Sequence, residues 1–260
     1  MEEKRKVILA GASFLIIIAV IAAVYLVFIR DGKPAETETP DVLPAAAEQG
    51  ADEVLPEETP QPPDVLDVGL DESDDLIREM VAGLSTRPEL ARWLLTDDLI
   101  RKFVAAVDNI ANGESPRSHM GFLQIPDKFS AIEKDGVLYM DPAGYARYDT
   151  VAAAFSSLPA RESVELYRRL TPVMQEAYSK LGYPGVDFNS TLMRTIEELL
   201  AVPVVNEDVA LEEKLQSFGM ADARLEGMSQ AQKHLLRMGP RNVGRIKTKL
   251  RELRGLLPKN

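Results

Sequence analysis

The chain has 260 residues, a formal charge of −11 and no cysteine. Its length allows one or two domains. The missing cysteine excludes disulfides, thiolate nucleophiles and cysteine metal sites, and is compatible with an oxidising compartment. The charge is uneven: residues 1–30 carry +2, residues 31–70 carry −10 and residues 71–260 carry −3.

Residues 7–29, "VILAGASFLIIIAVIAAVYLVFI", form a 23-residue run without a charge. As a helix it would span roughly 34 Å, enough for a hydrocarbon core of about 30 Å. A cleaved signal peptide has a shorter apolar core that ends at a small-x-small site. This run ends in "YLVFIRDG", so the expectation is an uncleaved signal anchor. Lys4, Arg5 and Lys6 outweigh Arg30 and Lys33, which places residues 1–6 in the cytoplasm and the rest outside. Tyr25 suits the aromatic belt of the far interface.

Residues 30–70 read as a disordered tether. Positions 31–70 hold eleven acids, one base and seven prolines. Such a stretch cannot bury enough apolar surface to offset its ordering entropy. As an ideal coil it would average about 35 Å end to end, and as polyproline II about 120 Å.

Residues 71–260 form the globular part, large enough for a real core. Leu76, Ile77, Met80, Val81 and Leu84 share one helical face, with Ser73 as the expected cap. "TRPELARWLL" follows as a short helix with Pro88 in its first turn. In "TDDLIRKFVAAVDNIANG" Thr96 is the expected cap, Gly113 the stop, and Leu99, Ile100, Phe103, Val104, Val107 and Ile110 the stripe. "FSAIEKDGVLYMDP" is a β-hairpin signal at 128–140, turned by Asp135-Gly136. Asp141 and Asp149 are the expected caps of the next two segments.

"RESVELYRRLTPVMQEAYSKLG" places Val164, Tyr167, Leu170, Met174, Ala177 and Leu181 at helical spacing. Pro172 is expected to kink or restart that helix. "DFNSTLMRTIEELLAVP" is a further helix, stopped before Pro203. Residues 204–220 show no readable period. Two segments close the chain, with Gly239 between them and Pro240 opening the last. The fold class is mainly α: a single-pass N-terminal span, a disordered linker, then a multi-helix domain at 71–260 with one small hairpin.

"DDLIRKFVAAVDNIANG", "LYMDPAGYARYD", "YRRLTPVMQEAYSKLGYP" and "QKHLLRMGPRNVGRIKTKLRELR" together resemble the bacterial domain-of-unknown-function family 3014, over roughly 71–257. The family layout is an anchor followed by one domain. The resemblance implies no activity and no catalytic residue. Together with the charge asymmetry around the apolar run, a bacterial chain of this layout is expected in the inner membrane with its domain in the periplasm.

Candidate chemistry is sparse. His119 and His234 are the only histidines, and neither has metal-ligand spacing, so no metal or cofactor is expected. Ser115, Ser118 and His119 are neighbours in a loop, which does not make a triad. Asp97-Asp98, Glu197-Glu198 and Glu212-Glu213 are the carboxylate pairs that a hydrolase would need. Tyr145, Arg147, Tyr148, Arg168, Arg169, Tyr178 and Tyr183 either pack locally or form an interaction surface of hot-spot residue types.

Residues 238–255 carry six Arg or Lys and one Glu. Their turn loosely resembles a helix-hairpin-helix, with Pro240 removing one amide donor. Val243, Ile246, Leu250 and Leu253 make an apolar stripe, which leaves Arg241, Arg245, Lys249 and Arg251 to face water, acidic neighbours or a polyanion. Residues 71–232 carry −11 and residues 233–260 carry +8, so internal charge matching is the first expectation.

The functional expectation is a membrane-anchored interaction or scaffold module with a protein partner. The alternatives are a tethered binder of nucleic acid or anionic lipid and a periplasmic hydrolase. Limited proteolysis of the whole chain should cut within 31–70 and leave a folded fragment that begins near Leu70. A resistant tether, or a fragment that loses its melting transition, contradicts that boundary.

Overall fold

A computed structural model describes residues 68–82, 87–119, 129–214 and 217–258. The expected span at 7–29 and the tether up to residue 67 lie outside the described residues. Among the described residues no helix is long and apolar enough to cross a membrane.

The helices are α1 (Ser73–Ala82), α2 (Pro88–Trp93), α3 (Leu99–Ala111), α4 (Asp149–Ser156), α5 (Ala160–Lys180), α6 (Phe188–Leu200), α7 (Ala223–Glu226), α8 (Gln230–Leu236) and α9 (Pro240–Leu256). The strands are β1 (Ala131–Lys134), β2 (Val137–Met140), β3 (Ala210–Lys214) and β4 (Ser217–Met220). Short 3-10 stretches cover Leu70–Glu72, Pro116–His119 and Pro142–Tyr148.

The helical layer is built on α3, α5, α6 and α9. Helix α3 packs on α5 and α6, and α9 lies across α4, α5 and α6. The stripe of α3 is buried as its spacing predicts, and Phe103 meets Phe188 of α6 edge to face at 5.6 Å. Val243, Ile246, Leu250 and Leu253 of α9 are likewise buried. Each such side chain contributes about 1.5–3 kcal/mol relative to exposure.

The hairpin forms as expected. Asp135 and Gly136 both have positive φ, 51° and 78°, and Lys134 pairs with Val137 across the turn. That geometry matches the twist of the flanking strands. The sequence led us to expect this hairpin alone, and here the structure corrects it. Residues 204–220 supply a second hairpin, β3–β4, and the two join through Leu138 opposite Leu211 into one antiparallel sheet ordered β1-β2-β3-β4. A two-stranded hairpin is marginal by itself, and four strands with an apolar face are not. That face buries Met140, Leu211 and Met220 against the helices.

Several caps differ from expectation. Helix α3 begins at Leu99, after Asp98 in the left-handed region at φ 58°. Thr96 does not cap it. The carboxylate of Asp74, on α1, accepts from the amides of Asp98 at 2.7 Å and Leu99 at 2.9 Å. Ser73 lies inside α1 and donates to the Leu70 carbonyl. Asp149 is the first residue of α4, after Tyr148, and is not its cap. Asp141 does cap its segment by accepting from Ala143 N, but that segment is 3-10.

Helix α5 neither stops nor restarts at Pro172. Pro172 is on the exposed side, where water can serve the carbonyl that lacks its donor. A capping box of Ser229 and Gln232 opens α8.

Leu250→Ala should lower stability by roughly 2–5 kcal/mol, as a core truncation does. Arg245→Ala should change it by about 0.5 kcal/mol or less. Denaturant melts of both variants check this; the packing is misassigned if Leu250→Ala melts like the parent.

Candidate functional site

A buried polar cluster centres on Asp108 of α3, which is only 7% exposed. Tyr178, in the last turn of α5, donates to one carboxylate oxygen at 3.4 Å, and Tyr183 donates to the other at 3.2 Å. The two rings stack 4.7 Å apart. The Tyr178 and Thr191 hydroxyls lie 3.0 Å apart, and Arg194 donates to Thr191 at 3.4 Å. Hydrogen bonds to the charged acceptor offset the cost of burying a carboxylate. Burial is the main cause pushing both phenols above the ordinary tyrosine range, and the Asp108 charge adds to it. With both oxygens held by the protein's own phenols, the cluster fastens α3, α5 and α6 together.

A second cluster joins the sheet to α8. The Arg147 guanidinium lies 4.6 Å from the Tyr148 ring centre and 5.8 Å from that of Phe129. Arg237 lies 5.9 Å from the same Phe129 ring and donates to the Phe218 carbonyl at 3.3 Å. Tyr148 is fully buried, and burial pushes its phenol up to about 12 against the opposing pull of Arg147 and Arg237. His234 of α8 is also fully buried. Stacking on the protein's own rings uses the cation–π capacity of both arginines.

The seven Tyr and Arg residues singled out in the sequence therefore do not form one surface. Tyr148 and Tyr178 are core residues, because their rings complete the apolar faces of their own segments. Tyr145 is half-buried against Gly239. Arg147 and Arg169 are half-buried, and exposed Arg168 donates to the Leu256 carbonyl at 3.1 Å. Tyr183 lies beyond the far end of α5, roughly 20 Å from Arg168 at the helical rise.

The basic helix α9 divides differently from its expected pattern. Lys249 is not exposed: it is 7% accessible, and its amine pairs with Glu252. It borders the apolar stripe, so its stem lies in the core while the ammonium reaches a carboxylate. Arg241 pairs with Asp149 at 3.4 Å and Arg254 with Glu197 at 2.9 Å. Lys247 is buried and donates to the Val202 carbonyl, just past the end of α6. Burial first, and then Arg251, lower its pKa.

Arg245 is half-buried and Arg251 exposed, and neither forms an ion pair among the described residues. Internal charge matching thus accounts for Arg241, Lys249 and Arg254, while Lys247 is held by a carbonyl and Arg245 and Arg251 form no ion pair among the described residues. The Tyr145 ring occupies the space where a Cβ at Gly239 would stand, so this turn packs closely on the segment after β2.

The paired carboxylates are engaged or splayed. Asp97 pairs with Arg78, Asp98 with Arg101, and Glu197 with Arg254. Glu212 and Glu213 alternate across β3, both in solvent. His119 is half-buried, which lowers its pKa. Among the described residues no cluster of ligating side chains could hold a metal ion.

The described residues thus define a mainly helical domain closed by a small antiparallel sheet. The profile of the family described as "protein of unknown function (DUF3014)" matches residues 99–254, and the chain belongs to that family. No curated protein and no solved structure matches the chain.

Burial raises the phenols of Tyr145, Tyr148, Tyr167, Tyr178 and Tyr183 above the ordinary value of 10.0. A raised folded pKa means that the native state holds its proton longer than the unfolded chain. The associated stability is whole below about pH 10 and is lost as pH climbs toward 12. Denaturation at stepped pH should show that decline, and Tyr148→Phe should reduce its slope. A flat profile to pH 12 would contradict the burial of these phenols.

Proposed function

We propose that the protein is a membrane-tethered module of the bacterial envelope that acts by binding a protein partner. One observation carries this reading: the layout of the chain. A 23-residue uncharged run is followed by forty residues with eleven acids and seven prolines, and then by a separately packed domain. The run has the length of a bilayer core, and the lysines and arginine before it favour the cytoplasm. The domain then faces the periplasm, on a leash of about 35 Å as a coil. The candidate acids are occupied by arginines or spread apart, which favours interaction over hydrolysis.

A second reading, a polyanion binder, is favoured by Arg245 and Arg251, the two charges on α9 that are not buried and have no ion-pair partner among the described residues. Binding through such residues is steeply salt-dependent, which a protein–protein contact with an apolar centre is not.

A reporter that is active only in the cytoplasm, fused after Asn260, should be silent in cells. Bright signal would sink the topology. Titration of the full chain with duplex DNA at two salt concentrations separates the two readings. Weak binding at both keeps the first; tight, salt-sensitive binding replaces it with the second.

A further inference from the structure

Helix α1 is clasped to the start of α3 by charged side chains. The carboxylate of Asp74 accepts from the amides of Asp98 and Leu99 and so stands in for a local cap. The Arg78 side chain donates to the Leu94 carbonyl at 2.9 Å and to the Thr96 carbonyl at 3.1 Å, and it pairs with Asp75 and Asp97 at 2.7 and 3.0 Å. Arg101 of α3 pairs with Asp98 at 2.9 Å and reaches back to Asp71. All of these charged side chains keep contact with water. Leu70, Ile77 and Met80 are the buried apolar anchors among the described side chains of residues 68–82. Helix α1 packs on α3 and α2, while the contacts of α3, α5, α6 and α9 with one another do not run through it. The residues that match the family profile, 99–254, leave α1 outside.

We infer that residues 68–82 are a strap that opens as a unit while the rest of the domain stays folded, and that its opening removes the cap of α3. An element opens locally when few apolar contacts hold it and its polar contacts are exposed. Exposed ion pairs are weak and are screened by salt, so the clasp is the soft part of this attachment. Arg78 joins Asp75 on the strap to Asp97 beyond it, and Arg101 joins Asp98 to Asp71 on the strap. Both bridges meet at the turn before α3, so they part together. Asp74 leaves with them, and the amides of Asp98 and Leu99 then turn to water. Residues 1–67 join the fold at this segment, so a load along the chain reaches the strap before any other helix. The inference is independent of the membrane reading, and a failed topology reporter leaves it untouched.

The test uses the full chain in uncharged detergent. The chain has no cysteine, so single substitutions report opening position by position. Ile77 and Ile246 are both 0% exposed, and Ile77→Cys and Ile246→Cys each bury one thiol. A maleimide should label position 77 about tenfold faster than position 246. Asp74→Asn, which exchanges one acceptor oxygen for a donor, should speed labelling at 77 by about tenfold again and leave 246 unchanged. Equal rates at the two positions overturn the proposal, because α1 then opens only with the whole domain. A parallel rise at both positions in the Asp74→Asn chains overturns it for the same reason.

Hydrogen exchange of the unaltered chain needs no substitution. The amides of residues 76–82 should exchange about tenfold faster than those of 246–253, with the amides of Asp98 and Leu99 at the strap's rate. Salt raised from about 0.1 M to about 1 M shortens the Debye length from about 10 Å to about 3 Å, and should speed strap and cap about threefold without moving α9. Strap amides as slow as those of α9, cap amides that exchange independently of the strap, or no response to salt each overturn the proposal. Load applied between residue 1 and a handle at Glu165→Cys, an exposed position of α5, should give a small first extension before the domain yields. A single extension overturns the order of release.

Discussion

The path of the backbone at Gly239 decides whether the domain closes. Gly239 has φ 81°, a region that residues with a side chain rarely enter, and the Tyr145 ring occupies the space where its Cβ would stand. The turn is therefore tight and covered at once. Asn242 secures it by donating to the Tyr145 and Met238 carbonyls at 3.3 and 3.1 Å. From there α9 crosses α4, α5 and α6 with Val243, Ile246, Leu250 and Leu253 inward. Tyr145 belongs to the 3-10 stretch that follows β2. One glycine thus lets the sheet's connecting segment and the last helix touch, and the core lies between them.

Charge is managed inside the fold by helix ends and phenols as much as by ion pairs. Buried Lys247 has no carboxylate partner among the described residues, but its ammonium sits at the carbonyl end of α6, where the helix dipole is negative. Lys233 donates to the Glu226 carbonyl at 2.9 Å, with the Glu226 carboxylate 3.7 Å away. Asp108 is held by two tyrosines. These contacts consume residues that composition alone would assign to a binding surface. The net charge of a segment therefore says little about its outer face until each side chain is placed.

What was legible in the sequence was local, and what was missed was not. Asp135-Gly136 specifies its turn within two residues, and the stripes of α3 and α9 are periodic, so both were readable. The cap of α3 comes from Asp74, more than twenty residues earlier, and no local pattern announces it. Thr96 looked right because an unassisted helix start would need it. Strands β3 and β4 read "ALEEK" and "SFGM", short and poor in β-branched residues, and they depend on pairing with β2. Tyr148 and Tyr178 were ambiguous because tyrosine serves cores and interfaces equally. Tyr178 lies one turn beyond Met174 on α5, inside the same apolar face, and that spacing was the available signal for its burial.

The placement of α9 also decides which of its charges are open to an outside ligand. A surface charge whose counter-ion lies within the fold contributes little to recognition, because binding must break one contact to form another. Arg241, Lys249 and Arg254 are in that position. Arg245 and Arg251 form no ion pair among the described residues, so an anion that met them would displace no carboxylate. A charge already held in an ion pair offers an incoming ligand only the difference between two contacts, and for exposed pairs that difference is about 0–1 kcal/mol.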